Sequence, residues 1–249
     1  MKQLVFLTVA LFGFLAVANG QIEEKMEKEN VVKGSIFKDG KEIEGYIKKQ
    51  GIVFGIKDNT VFPAPWHFQS DLKFIPKDVF ENTPKLKGNM YKKYGPKDIS
   101  GYRYEDMEFE AVKYSDMSAV GLSMIPKLIF LRRIVNDKIS IFYHYGSPGG
   151  VIFGDEEAEV YRENGIPNIV YRKGKDGKVK LVETINMNKD WEDCPYVKEK
   201  QENGEYDTEI LPDKAGKLGG LLNKAQQAQD EVRVQKRLEA IADYNQHCN

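Results

Sequence analysis

Two short stretches of this chain combine aromatic rings with a histidine, the side chains best suited to contact a ligand. Trp66 and His67 stand together between prolines in "APWHFQ", and Tyr143, His144 and Tyr145 end an apolar run before "GSPGG". Rings beside an imidazole can stack on a sugar or hold a peptide. The residue types favour a structural role over a ligand site, with Trp66 filling a gap in the core and His144 as an ordinary strand residue.

The sequence lacks the motifs that mark common enzyme active sites. It contains no Gly-x-Ser-x-Gly, no phosphate-binding glycine loop and no His-Glu-x-x-His. A glycosidase needs only two carboxylates at a set separation, and the 38 Asp and Glu residues neither support nor exclude one. The sequence therefore nominates no catalytic residue and predicts no cofactor.

The two cysteines are better suited to a structural bond than to metal or redox chemistry. Cys194 and Cys248 lie far apart, and the histidines are scattered at His67, His144 and His247. Zinc sites need ligands at short, regular spacings, and a redox pair stands close together at a helix start. We therefore predict a Cys194–Cys248 disulfide and no metal site. Closing a loop of about 55 residues would stabilise the fold by roughly 4 kcal/mol.

The N-terminus predicts export to an oxidising compartment, where disulfides persist. Residues 1–20 carry one charge, Lys2, then an apolar stretch too short to span a bilayer comfortably, ending in the small residues Ala18 and Gly20. This pattern predicts a signal peptide over 1–20 and a mature protein starting at Gln21. An uncleaved anchor is the alternative. We expect a periplasmic or secreted protein with no integral membrane segment after cleavage.

Overall composition is that of an ordinary globular protein. The formal net charge is −1, with 41% hydrophobic and 30% charged residues. A nearly neutral chain favours neither nucleic acid nor an anionic membrane surface as partner. The 13 Tyr and 13 Phe residues favour strands.

The clearest local structure is a hairpin in "VVKGSIFKDGKEIEGYIKK", where Asp39-Gly40 favours a two-residue type I′ turn. That turn pairs Gly34 with Gly45 and gives each strand face a fixed set of side chains. The first face is apolar and comprises Val32, Ile36, Ile43 and Ile47. The second face is expected to be solvated and comprises Lys33, Ser35, Phe37, Glu42, Glu44 and Tyr46. The facing glycines leave a notch that a large ring fills or a ligand enters.

Further hairpins determine the expected fold class. One turns at Glu105-Asp106 and sets Tyr102 against Phe109, another turns near Asn136, and residues 157–185 hold one or two more strands. Many short strands joined by hairpins favour an antiparallel arrangement. We predict an α+β fold that is predominantly antiparallel β, as a hairpin-built sheet, sandwich or partly open barrel, with C-terminal helices.

The pattern becomes helical from residue 186. "NKDWED" and "PYVKEKQENG" predict two short helices, with Pro195 in a first turn and Gly204 as a stop. A long helix is predicted from Leu221 to Cys248. Its apolar stripe shifts near Asp230, so the helix bends or its halves pack on different partners. Two sets of residues form the stripe: Leu221, Ala225, Ala228 and Val232, then Val234, Leu238, Ile241 and Cys248.

The predicted organisation is a signal peptide over 1–20, a β-rich domain over 21–185 and a helical segment over 186–249 packed on it. The order of "GYI", "APWHFQSDLKFIP", "PKDISGYRY", "KISIFYHYG", "DCP" and "YNQHC" resembles a family of exported, signal-peptide-bearing Bacteroidetes proteins with no established activity. The resemblance implies a periplasmic or outer-membrane setting and transfers no catalytic residue. It also implies that the polar stretch 221–233 is an insertion.

Two functional hypotheses follow from the sequence. The first is an exported cell-envelope protein that acts as a non-catalytic binding or structural module, with an envelope protein, a glycan or a peptide as partner. The alternative is a hydrolase acting on an envelope polymer or an imported glycan or peptide. A deep pocket with convergent carboxylates and raised pKa values would favour the enzyme, and a shallow aromatic patch or an exposed apolar helix face would favour the module.

Overall fold

The computed structural model describes residues 20–49, 65–115, 125–146, 166–207 and 219–248, with side chains of the last helix described from residue 231 onwards. The predicted signal peptide falls almost wholly outside these ranges. So do "GIVFGIKDNTVF", for which the sequence predicts short strands, most of the "GSPGG" loop, and residues 157–165. The first apolar set of the long helix also lies outside the described side chains, except for Val232.

The described residues contain ten strands. They are β1 (Val31–Lys38), β2 (Lys41–Lys48), β3 (Leu72–Pro76), β4 (Lys92–Tyr94), β5 (Gly101–Tyr104), β6 (Met107–Tyr114), β7 (Lys127–Val135), β8 (Ile139–His144), β9 (Asn168–Lys173) and β10 (Lys180–Leu181). Their order in the sheet is β10-β9-β8-β7-β6-β5-β1-β2-β3-β4. The sheet is antiparallel and not closed, which confirms the predicted α+β class and its hairpin-built sheet.

Four α-helices accompany the sheet in the described ranges. They are α1 (residues 20–29), α2 (Lys77–Asn82), α3 (Pro195–Glu202) and α4 (Gly219–His247). Short 3-10 helices occur at Pro65–Gln69, Gly88–Met90 and Val182–Thr184. None of the helices in the described residues is long and apolar enough to cross a membrane.

The predicted hairpin registers are confirmed. Asp39 and Gly40 take φ values of +52° and +74°, as a type I′ turn requires, and Gly34 pairs with Gly45. In the second hairpin Tyr102 pairs with Phe109. The third connects β7 to β8 near Asn136–Lys138, with an irregularity in β7 between Arg133 and Val135.

The glycine notch is filled by a ring, as one of the two interpretations predicted. A Cβ built on Gly45 would lie 2.5 Å from Cζ of Phe74, and one built on Gly34 would lie 2.7 Å from Cδ1 of Ile47. Phe74 and Ile47 belong to the core cluster on this face of the hairpin. Trp66, which sequence analysis considered for this place, is not the ring that fills it.

The expectation that the second face of the hairpin is solvated was wrong at two positions. Tyr46 is 3% and Ser35 2% exposed. Tyr46 belongs to a second cluster with Val31, Ile75 and Phe80, which Ile22 and Met26 of α1 join. The hairpin is therefore covered on both faces, by segments that precede and follow it in the chain.

Contacts divide the chain into two compact units. The first comprises the described residues up to Ala111 together with Leu128–Leu131. The second comprises Val112–Lys127, Arg132–Gly146 and Ile166–Asn249, within the described ranges. The helical segment packs on strands of the second unit, and a domain boundary at residue 185 stays a prediction.

The predicted disulfide is confirmed and lies in the core of the second unit. Cys194 and Cys248 are bonded, with their Cα atoms 5.5 Å apart, and both are buried. Val234, Leu238 and Ile241 of α4 pack in the same cluster, as their shared helix face predicted. The C-terminal end of α4 is thereby attached covalently to the start of α3.

Of the two short helices predicted after residue 186, one forms and the prediction of the other was wrong. "PYVKEKQE" forms α3, with Pro195 in the first turn, and Gly204 follows with φ +77°. "NKDWED" forms turns instead. Oδ1 of Asn186 accepts hydrogen bonds from the backbone N–H groups of Asn188 and Lys189, at 3.1 and 3.2 Å. These are the bonds of a helix N-cap, and the N–H of Asp190 donates to the carbonyl of Asn186 as in a helical turn. The turn does not continue, because Cys194 stands before Pro195 and is extended (φ −126°, ψ 94°).

We predict that Gly45→Ala destabilises the protein by about 1–3 kcal/mol, because the added methyl group collides with Phe74 and with the neighbouring strand. Urea denaturation measures the change. Gly88→Ala is the control, since a Cβ there meets nothing within 4 Å. Equal stability of the two variants would refute the close packing over the notch.

We predict that Cys248→Ser lowers the free energy of unfolding by about 2–4 kcal/mol. Hydrogen exchange should increase first in α3 and the end of α4, while the β1–β2 hairpin stays protected. Wild-type protein in a reductant should reproduce this behaviour. Two free thiols in the unreduced protein, or disulfide-linked dimers, would contradict the assignment.

The docking of α4 should weaken in acid. Asp243 accepts hydrogen bonds from Nζ of Lys200 (2.8 Å) and from the hydroxyl of Tyr206 (2.6 Å). Burial acts to raise the pKa of Asp243, but these two donors lower it below its ordinary value of 3.8. A carboxyl with a lowered pKa contributes stability above its ordinary pKa, and that stability is lost as the pH falls through its folded pKa.

We therefore predict that Asp243→Asn destabilises the protein at pH 7 and reduces the loss of stability between about pH 5 and pH 2. Denaturation midpoints across this range measure both effects. Asp176→Asn, in the exposed turn between β9 and β10, should keep wild-type stability at pH 7. If Asp243→Asn loses stability with falling pH as steeply as the wild type does, this carboxylate is not the cause of the weaker docking of α4 in acid.

Candidate functional site

A polar groove lies on the second face of the β1–β2 hairpin, within the first unit. We call it the outer groove; its volume is about 540 Å³. Strands β2, β1 and β5 form its floor, and α1 and α2 contribute residues to its walls. Its lining residues are Ile22, Glu23, Lys33, Gly34, Ser35, Glu42, Glu44, Gly45, Tyr46, Lys77, Glu81, Arg103 and Glu105.

The type I′ turn determines which side chains face the groove. Its register places Ser35 opposite Glu44 on β2 and beside Arg103 on β5. Side chains alternate between the two faces of a strand, so Glu42, Glu44 and Tyr46 all project to this side. The apolar partners of the same strands project into the core on the other side. A one-residue slip would exchange the two sets.

Helix α1 is attached to the structure beside the groove by its lysine. Nζ of Lys25 donates hydrogen bonds to the carbonyl oxygens of Phe80 and of Thr83, the latter at 2.7 Å. These carbonyls lie at the C-terminal end of α2, where the helix dipole favours a cation. Glu29, at the other end of α1, accepts a hydrogen bond from the hydroxyl of Tyr91 at 3.1 Å and pairs with Lys48 at 3.3 Å.

One hydrogen-bonded network centres on Glu42. Its Oε1 atom accepts hydrogen bonds from Oγ of Ser35 at 2.7 Å and from Nη1 of Arg103 at 2.8 Å. The guanidinium of Arg103 also lies over the ring of Phe37, 5.6 Å from its centroid. Side chains of Glu42 and Arg103 remain 39% and 43% exposed, so a ligand can reach both.

A second network anchors the groove to the packed cluster beneath it. The hydroxyl of Tyr46 donates to Oε1 of Glu81 at 2.8 Å, and its ring stacks on Phe80 at a centroid distance of 3.9 Å. Burial, followed by the bond to Glu81, raises the pKa of Tyr46 well above its usual value. This tyrosine therefore stays neutral and acts as a hydrogen-bond donor.

The rim of the groove carries an exposed ion pair and two further charges. Nζ of Lys77 lies 3.3 Å from Glu44, with side chains 55% and 71% exposed. Lys33 and Glu105 meet through the backbone, where the N–H of Glu105 donates to the carbonyl of Lys33 at 3.1 Å. Exposed pairs contribute little to stability, so these groups can exchange their partners for a ligand.

The groove is built for hydrogen bonding to both donors and acceptors. Carboxylates only accept, whereas lysine and arginine only donate, and both kinds line the groove. The residues that line it include no histidine and no cysteine. No group of three or more His, Cys, Asp or Glu side chains in the described ranges has a geometry that could hold a metal ion.

Trp66 and His67 lie apart from the groove lining. They belong to the 3-10 helix Pro65–Gln69, whose next residue, Phe68, is the one that enters the core. Trp66 is half-buried and His67 exposed, with ring centroids 6.1 Å apart. Partial burial lowers the pKa of His67. Both side chains remain accessible, so their role as a ligand site stays a prediction.

Tyr143, His144 and Tyr145 lie in the second unit, at the end of β8. His144 is 6% exposed, and its ring centroid lies 4.7 Å from that of Tyr114. Tyr143 and Tyr145 are half-buried, with ring centroids 6.5 Å apart. The histidine is therefore buried, as the interpretation of His144 as an ordinary strand residue expects. Of these three side chains, a ligand could reach only the two tyrosines.

The sequence does not predict the outer groove, because its residues have the pattern of a solvated strand face. The alternation of Lys33, Ser35, Glu42 and Glu44 is typical of such a face. The signal that could have revealed a covered surface was Tyr46, a large ring among these charges. The segments that cover it lie outside the hairpin, in α1 and α2.

The geometry of the groove is the basis on which a function can be argued. The resemblance to exported Bacteroidetes proteins stays a prediction. No family model, no curated protein and no solved structure matches this chain.

Proposed function

We propose that this chain is an exported cell-envelope binding module whose outer groove takes a neutral, hydroxyl-rich ligand, a glycan. The observation that carries the proposal is that donor-only and acceptor-only side chains lie side by side in the lining of one accessible groove. Arg103, Lys33 and Lys77 supply the donors, and Glu42 and Glu44 supply acceptors.

A hydroxyl group both donates and accepts hydrogen bonds. It can therefore bridge a carboxylate and a guanidinium that lie side by side, as those of Glu42 and Arg103 do. Neighbouring hydroxyls on a sugar ring repeat this pattern. A sugar thus engages both kinds of side chain without leaving a charge unpaired.

Charged ligands fit the groove less well. A basic peptide would be attracted by the carboxylates but repelled by Lys33, Lys77 and Arg103. An acidic ligand would meet the opposite pattern, with Glu42, Glu44 and three further glutamates in the lining. Juxtaposed like charges oppose association, so a neutral polar ligand is favoured.

The arrangement supports binding over hydrolysis. Glu42 and Glu81 are each held by donors of the protein itself, and Glu44 is paired with Lys77 at the rim. A glycosidase instead needs one carboxyl group kept protonated as a general acid. Glu42 and Glu44 lie two residues apart on one strand face, which keeps the hydrolase alternative open to a direct test.

Export is part of the proposal. The Cys194–Cys248 bond is of the kind that persists in oxidising compartments, which supports the predicted signal peptide. Cleavage after Gly20 would leave residues 21–29 of α1 in place beside the groove.

We predict that the oxidised chain from Gln21 to Asn249 binds at least one of a panel of cello-, malto-, manno- and chito-oligosaccharides, measured by titration calorimetry. Arg103→Met should weaken that binding about tenfold or more, because a hydrogen bond to a charged group contributes about 1.5–3 kcal/mol. A lysine-rich and a glutamate-rich peptide, tested alongside, should bind more weakly than the best glycan.

Lys93→Gln is the matched control, since it breaks an exposed ion pair with Asp71 outside the groove lining. It should bind as the wild type does. If Arg103→Met binds the glycan with wild-type affinity, the location of the site is refuted. Release of new reducing ends, lost in both Glu42→Gln and Glu44→Gln, would instead establish the hydrolase.

A further inference from the structure

A second polar cavity lies in the second unit, between α3, α4 and the chain that follows α3. Its volume is about 330 Å³, within the range of small-molecule sites. Its lining includes Met187, Gln201, Tyr206, Asp207, Arg233 and Arg237. None of these residues contributes to the outer groove.

Arg237 supplies a buried donor to this cavity. Its Nε donates to the carbonyl oxygen of Ile185 at 3.2 Å, which fixes the guanidinium. Its Nη1 is buried and has no acceptor among the described residues. A charged donor buried without a partner is costly, so this nitrogen is a position where an anionic group would be stabilised.

The positive charge around Arg237 is concentrated on one side of α4. Arg233 lies one helical turn before it, at the spacing that brings side chains together. Burial and then the charge of Arg233 lower the pKa of Arg237. Lys236 also lines the cavity and pairs with Glu239 at 2.8 Å. Both guanidiniums line the cavity, and a guanidinium is suited to bind a carboxylate or phosphate.

Gln201 supplies the complementary acceptor. Its Nε2 donates to Oδ1 of Asp207 at 3.2 Å, which orients the amide. Its Oε1 is buried and receives no hydrogen bond from any described residue. Asp207 adds a carboxylate to this part of the lining. The cavity therefore contains an unused donor with positive charge and an unused acceptor beside negative charge.

We propose that this cavity binds a small amino acid or hydroxy acid. Arg237 and Arg233 bind its carboxylate, and Gln201 with Asp207 binds its ammonium or hydroxyl group. Met187 and Tyr206 contact the rest of the molecule, since the hydroxyl of Tyr206 is already engaged by Asp243. A ligand with both groups pairs with the guanidiniums and with the Gln201–Asp207 end of the cavity at once, whereas a simple anion pairs only with the guanidiniums.

The test is thermal unfolding of the oxidised chain from Gln21 to Asn249, in a low-salt buffer free of carboxylate and phosphate. The probes are the twenty amino acids, lactate, glycerate, acetate, methylamine and inorganic phosphate. At least one amino acid or hydroxy acid should raise the Tm in a saturable manner, and acetate and methylamine should raise it less at equal concentration.

Two variants locate the site without removing the bond from Arg237 to Ile185. Gln201→Leu and Arg233→Gln should each weaken binding of the best ligand by about tenfold or more, because each leaves one charged or polar end of the ligand unpaired. Lys198→Gln, on α3 but outside the cavity lining, should leave the affinity unchanged. The proposal is overturned by any of three results: no saturable rise in Tm with any amino acid or hydroxy acid, a rise in Tm with phosphate alone, or wild-type affinity in both variants.

Discussion

The first unit depends on one packing interaction on the second face of its hairpin, the stacking of Tyr46 on Phe80. It holds α2 against the sheet, and α2 in turn provides the carbonyls that receive Lys25 of α1. Without this cluster the charged side chains of β1 and β2 would form a flat solvated surface. With it, α1 and α2 form walls and the same charges line a groove. The hydroxyl of Tyr46 ends in the groove itself, bound to Glu81.

The second unit is organised by the last turns of α4. Asn245 holds both backbone groups of Ile139: its Oδ1 accepts from the N–H at 2.8 Å and its Nδ2 donates to the carbonyl at 2.9 Å. Tyr244 donates to Asp193 at 2.8 Å, and Cys248 is bonded to Cys194. A hydrogen-bonded amide, a phenol and a disulfide thus attach one helix end to a strand and to the start of α3.

Local signals predicted the structure well, and signals that depend on distant segments did not. The Asp39-Gly40 turn fixes its register through its own backbone preference, and the disulfide followed from counting cysteines in a chain predicted to be exported. The burial of Tyr46 depends on α1 and α2, which pattern analysis of the hairpin does not include. The outer groove was not predicted for the same reason, because α1 and α2 form its walls.

The measurement that tests the central claim most directly is amide chemical-shift mapping of the ¹⁵N-labelled chain from Gln21 to Asn249 during titration with neutral oligosaccharides. Ligand in the outer groove should shift the amides of Lys33, Ser35, Gly45 and Arg103, which form its floor and carry its donors. Shifts confined to Tyr143–Tyr145, or no shifts with any oligosaccharide, would contradict the assignment of the groove as the binding site.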